Sequence, residues 1–157
     1  MRFGSIVVLG LLSLSAISVA AQEGPHVSAR LVSDAAELVP GSTVRVGVHL
    51  VMGDGWHVYW SNPGDAGLAT EVTWQVPGGL EVRELAWPVP ESFDSPGGIA
   101  SYGYGHEVVL PIEIRMPGDP PGSADVTAAV GWLACREKCV LGEATVEMSL
   151  PVSEGEA

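Results

Sequence analysis

The chain reads as an all-β protein, an immunoglobulin-like two-sheet antiparallel sandwich. Three observations predict this. Apolar and polar residues alternate in segment after segment, the period-two pattern of half-buried strands. The 20 glycines and 12 prolines gather between those segments as turn punctuation. No window carries a sustained helical period. Seven or eight short strands at this spacing fit a sandwich.

Residues 1–21 read as an export signal. Arg2 supplies a positive start, Ile6 to Leu14 an apolar stretch broken only by Gly10 and Ser13, and Ser18-Val19-Ala20-Ala21 small residues for cleavage. No run of eighteen apolar residues follows, so the mature chain is expected not to span a membrane. About 136 residues remain, one domain over 22–157, long enough to bury a core without disulfide support.

Val27 to Val32 is a weak first strand candidate. Thr43 to Leu50 alternates strictly, with Val44, Val46, Val48 and Leu50 on one face. Trp56, Val58 and Trp60 then alternate against His57, Tyr59 and Ser61. Asn62 to Gly67 is rich in turn formers, and Asp65 there reads as an Asx-type turn holding backbone. Val72, Trp74 and Val76 mark the next strand, and Leu80 to Leu85 is a second weak candidate. Trp87 to Gly105, WPVPESFDSPGGIASYGYG, shows no strand pattern and is expected to be a long loop. Loops of that length are often functional, and this one holds Phe93, Tyr102 and Tyr104. Three more alternating faces follow: Val108 to Ile114, Val126 to Trp132, and Val146 to Leu150. The small acidic tail from Ser153 to Ala157 is expected to fray.

Composition excludes several functions. A formal net charge of −12 leaves no nucleic-acid footprint and mainly favours solubility. The four histidines, four methionines and two cysteines show no metal-ligand spacing, so neither a metal nor another cofactor is expected. No G-x-S-x-G nucleophile motif occurs. Trp56, Trp60, Trp74 and Trp132 fall on apolar faces, which favours core packing over a carbohydrate platform.

The two cysteines carry the chemistry. They stand as Cys135-Arg136-Glu137-Lys138-Cys139, at a hairpin tip between a strand ending near Ala134 and one starting near Glu143. An exported chain meets an oxidising compartment, where such a pair closes a disulfide. So small a loop gains roughly 2 kcal/mol from closure, a modest staple. A pair that opens and closes needs an attacking thiolate and a second thiol to resolve the mixed disulfide. Two of the seven Lys and Arg residues, Arg136 and Lys138, lie between the cysteines. Cations favour the reactive thiolate, with Glu137 a partial offset. The motif is not a thioredoxin C-x-x-C, because no helix N-terminus acts on it. The alternative is a non-catalytic secreted binding module whose hairpin disulfide is structural.

Four motifs in order resemble the N-terminal periplasmic domain of the DsbD/ScsB thiol:disulfide interchange proteins. They are Gly55 to Gly67 (GWHVYWSNPGDAG), Trp87-Pro88 with Pro90, Ser101 to Tyr104 (SYGY), and Gly131 to Cys135 (GWLAC) with Cys139. The resemblance runs from about Pro25 to Val152, and the short gap between the cysteines is similar to the ScsB-type branch. It implies an immunoglobulin-like periplasmic domain, a monomer, working in thiol:disulfide interchange of the protein-disulfide reductase type. Reducing equivalents would come from a membrane-embedded thiol electron donor and pass to thioredoxin-fold periplasmic proteins, with cytochrome c biogenesis among the processes served. Cys135 and Cys139 match the redox pair, with Cys139 forming the mixed disulfide. Phe93-Asp94-Ser95-Pro96 matches a covering loop with Phe93 as its shield, and Tyr59, Asp94 and Tyr102 match lining residues. Members of the family usually continue into a membrane domain, whereas the sequence here ends at Ala157. The donor is then a separate polypeptide, or the sequence is a piece of a longer one, or the relay role is lost.

Overall fold

The computed structural model describes residues 22–24, 26–95, 97–116 and 123–153. The expected export signal and residues 154–157 of the tail lie outside these, as does Pro96 of the expected covering loop. Every regular element among the described residues is a strand. In order they are β1 (Gln22–Gly24), β2 (Val27–Ser33), β3 (Thr43–Met52), β4 (His57–Gly64), β5 (Glu71–Gln75) and β6 (Glu81–Glu84). Then come β7 (Glu91–Ser95), β8 (Ile99–Tyr104), β9 (Glu107–Arg115), β10 (Ser123–Cys135) and β11 (Cys139–Pro151).

The strands form two antiparallel sheets. One runs β1-β2-β3-β9-β6 and the other β11-β10-β4-β8-β7, with β5 also pairing β10. One edge of β10 is shared. Its last residues pair β4, Ala134 with Val58 and Cys135 with His57, while Thr127 to Gly131 pair β5.

The alternating apolar positions face inward, because burying one face of each strand is what drives two sheets together. Val44, Val46, Val48 and Leu50 of β3 meet Val108, Leu110, Ile112 and Ile114 of β9 in one sheet; Val126, Val130, Trp132 and Val146 face them from the other. Trp56 joins this core, and Trp60 and Trp74 pack half-buried against it.

Two expectations change. Trp87 to Gly105 is not a loop throughout: β7 and β8 form a hairpin with five cross-strand pairs, from Glu91 with Gly103 to Ser95 with Ile99. Its outer strand β7 lies at the edge of its sheet, where no apolar alternation is demanded, so the sequence shows no period there. The second change is at the cysteines. β11 starts at Cys139 itself, with Val140 opposite Ala134 and Leu141 opposite Leu133. Gly142 interrupts the alternation there and hides the strand's first turn of pleat.

Candidate functional site

Cys135 ends β10 and Cys139 begins β11, directly opposite each other. Side chains of such a pair project from the same face of the sheet. They are joined as a disulfide with a Cα–Cα separation of 4.1 Å. Three residues turn the chain, and the Arg136 N–H donates to the Lys138 carbonyl across the turn at 3.0 Å. The two cysteines differ in access. Cys135 is 3 % exposed, while Cys139 is exposed. Thiol–disulfide exchange proceeds by attack on one sulfur and depends on which sulfur can be reached. The arrangement leaves Cys139 open to solvent and Cys135 covered.

Cys135 does not belong to the inter-sheet core. Trp132 and Ala134 point inward, so Cys135 stands on the outer face, and something must cover it there. The next strand supplies the cover. His57 of β4 pairs with Cys135, so Cys139, Cys135 and His57 form one row across three strands. The Phe93 ring of β7 lies flat against the imidazole, centroids 4.4 Å apart and planes at 16°. Tyr59, two residues along β4 on the same face, meets His57 edge-on at 5.2 Å. Burial lowers the His57 pKa and raises that of Tyr59.

Tyr59 is itself held tightly. Its carbonyl accepts the Thr70 hydroxyl at 2.7 Å and the Thr70 N–H at 3.3 Å. Gly67 passes under its ring with φ +103°, so close that a Cβ there would overlap the ring carbons. Only glycine meets both demands.

The β7–β8 hairpin that carries Phe93 is tied down at separate points. Asp65 N–H donates to the Ala100 carbonyl at 2.8 Å, and the Ala100 N–H donates to Asp65 Oδ2 at 3.1 Å. The Tyr104 hydroxyl donates to the Pro88 carbonyl at 2.8 Å, and burial pushes this phenol up to about 12. Pairing with β4 is sparse, at Val58, Tyr59 and Gly64, with the register shifting between the last two. Gly97 and Gly98, both at positive φ, make the hairpin turn. The hairpin is therefore held to its sheet by these ties and by the Tyr104 ring, which is buried in the core.

The other residues singled out from sequence are spread around this row. The Arg136 guanidinium donates to the Asp54 carbonyl of the neighbouring turn at 3.4 Å, and its stem lies against Gly55. Lys138 is exposed in the turn. Asp94 and Tyr102 fall on the opposite face of the hairpin from Phe93, by strand alternation. Asp94 accepts the Ser92 hydroxyl at 3.4 Å, and the Tyr102 ring lies beside Gly64. Sequence reasoning gave His57 no place beside the cysteines, and its pairing with Cys135 is long-range. It also read Asp65 as a local turn, whereas its carboxylate reaches a strand 35 residues away.

Residues 28–151 match the family model described as thiol:disulfide interchange protein DsbD, N-terminal. Among solved structures, the N-terminal periplasmic domain of ScsB from Proteus mirabilis is similar at 25 % identity and a TM-score of 0.58. That match covers 82 % of this chain and 49 % of the other, so the chain spans about half that domain's length. The GAE domain of GGA2p from Saccharomyces cerevisiae is similar at 13 % identity, with a TM-score of 0.49 and coverage of 88 % and 100 %. The reduced DsbD N-terminal domain from Neisseria meningitidis is similar at 13 % identity and a TM-score of 0.36, covering 82 % and 86 %. A search of curated proteins finds no match.

Proposed function

Because the chain belongs to the family of the DsbD thiol:disulfide interchange protein N-terminal domain, we propose that it passes reducing equivalents between periplasmic thiol proteins through Cys135 and Cys139. A membrane-embedded thiol protein supplies the electrons and a thioredoxin-fold protein receives them. The observation that carries this reading is the unequal access of the two cysteines, with Cys139 exposed and Cys135 buried beside the stacked rings of His57 and Phe93. A purely structural staple needs neither an exposed sulfur nor a cover.

In the reducing direction, the Cys139 thiolate attacks a disulfide of the partner. One partner sulfur leaves as a thiolate, and Cys139 is held in a mixed disulfide. Cys135 then attacks Cys139, the intramolecular bond closes, and the second partner sulfur leaves. Two electrons move from the domain to the partner. Phe93 limits reaction of small oxidants at Cys135, since exchange requires access as well as thiolate. Arg136 and Lys138 add positive charge beside the pair, which favours thiolate. The domain works over residues 22–157 after removal of the signal at 1–21.

The test is the reduction potential of the pair, from equilibration with glutathione buffers followed by thiol trapping. An exchange disulfide lies above about −300 mV, and a structural one in a secreted protein below it. A pair that stays oxidised at strongly reducing poise would return the chain to the binding-module reading.

A further inference from the structure

We propose that His57 is the proton acceptor that turns Cys135 from a buried thiol into the resolving thiolate. The inference rests on the exchange reading of the same disulfide and adds a residue to it.

Cys139 and Cys135 face different problems. Cys139 is exposed and can lose its proton to water. Cys135 is 3 % exposed, and burial in apolar surroundings disfavours a thiolate. Resolution of the mixed disulfide needs that thiolate nevertheless. Its proton must go to a group beside it. The cross-strand register puts His57 there: paired residues on one face hold their Cβ atoms about 4.5–5.5 Å apart.

The imidazole is suited to the task. Among the described residues it has ring contacts with Phe93 and Tyr59 but no hydrogen-bond partner, so its nitrogens are open to a proton. Burial favours its neutral form, the form that accepts one. The groups around it do not replace it. Tyr59 has a phenol that burial keeps protonated. Glu91 of β7 lies past the Phe93 ring, at the Gly105 end of β8. Arg136 is turned to the Asp54 carbonyl, and Lys138 points into solvent from the turn. Both are cations and accept no proton.

The step balances. In the mixed disulfide, the Cys135 thiol gives its proton to His57 and its sulfur attacks Sγ of Cys139. The Cys135–Cys139 bond forms, the Cys139–partner bond breaks, and the partner sulfur leaves as a thiolate. The imidazolium then releases its proton to solvent. In the opposite direction the imidazolium protonates Cys135 as it leaves.

The two steps separate in a reaction of the reduced chain with excess dithionitrobenzoate. The first thionitrobenzoate is released in a second-order phase at Cys139. The second is released in a first-order phase as Cys135 closes the disulfide. His57→Phe keeps an aromatic ring against Phe93 but has no base. It should slow the first-order phase near neutral pH by about 10²-fold, the lower end of general-base effects, and remove the imidazole inflexion from its pH profile. The second-order phase should stay within about 2-fold. His57→Gln, polar but not basic, should slow the first-order phase and lose the inflexion in the same way, judged on that phase alone because it also loses the ring stacking on Phe93. Closure at the parental rate with the parental pH profile in both variants would overturn the proposal and leave His57 as packing. If the parental chain shows neither phase, the exchange reading itself fails, and the role of His57 with it.

Discussion

Replacing Phe93 with alanine tests whether the β7–β8 hairpin is a gate. The ring is half-buried and stacked on His57 at 4.4 Å. Stacking is worth about 0.5–1.5 kcal/mol beyond area. Half the burial of a phenylalanine side chain adds about 1–1.5 kcal/mol. Removing both weakens the closed flap against an open one by about 1.5–3 kcal/mol. At 1.4 kcal/mol per factor of ten, the open fraction rises about 10- to 100-fold. If small disulfides reach the buried Cys135 only through the open flap, its oxidation accelerates by the same factor. The assay is the rate at which glutathione disulfide oxidises Cys135 in the reduced Cys139→Ala chain, with and without the Phe93 change, read by alkylating the remaining thiol over time. Global stability should fall by less, about 1 kcal/mol, because Phe93 lies outside the inter-sheet core and its flap can open alone. An oxidation rate within about 2-fold of the parent would refute the reasoning, and Phe93 would be ordinary packing.

Other outcomes follow from the same geometry. Cys135→Ala should hold a thioredoxin-fold partner on Cys139 as a mixed disulfide visible on a non-reducing gel, whereas Cys139→Ala should hold none; the reverse pattern would exchange their roles. Asp65→Ala removes the acceptor for the Ala100 N–H and should speed small-molecule oxidation of Cys135 about 3- to 10-fold, in step with a hydrogen bond of ~1 kcal/mol. Gly67→Ala would place a methyl group in the Tyr59 ring at φ +103° and should lower unfolding free energy by about 2 kcal/mol or more in urea titration. Tyr104 sets a pH dependence. Its phenol titrates at about 12 when folded against an ordinary 10.0, so the folded chain keeps a proton that the unfolded chain loses. That stabilisation is whole below pH 10, falls as pH rises through about 12, and should be missing from the alkaline stability curve of Tyr104→Phe.

The sandwich was legible in the sequence because its strands obey one rule. Residues such as Val44, Val46, Val48 and Leu50 must alternate if one face of β3 is to be buried. The cysteine pair was legible for a different reason: its two members are four residues apart, so local geometry alone brings them together. The flap obeys neither rule. Phe93 packs on one face of an edge hairpin whose other face turns Asp94 and Tyr102 to solvent but Tyr104 into the core, and its strands are short. His57 was visible as a polar position on an alternating strand. Its place beside Cys135 depends on the pairing of β4 with β10, across 78 residues that carry no local trace of it. Asp65 likewise shows its tie to Ala100 only once two distant turns meet.

The ribbon formed by β10 and β11 carries thirteen cross-strand pairs, and the cysteines are the last of them. Twelve rungs hold the strands in place whether or not the sulfurs are joined. A thermodynamic cycle links the two equilibria: what the bond adds to folding, folding adds to the persistence of the bond. The loop-closure contribution of so short a loop is ~2 kcal/mol, equivalent to about 45 mV for a two-electron couple. The fold therefore weights the oxidised form only lightly, and the twelve rungs behind the cysteines do not depend on the bond. Opening the bond would therefore be felt at the sulfurs at the end of the ribbon, where Cys139 is exposed, and not along the twelve rungs behind them.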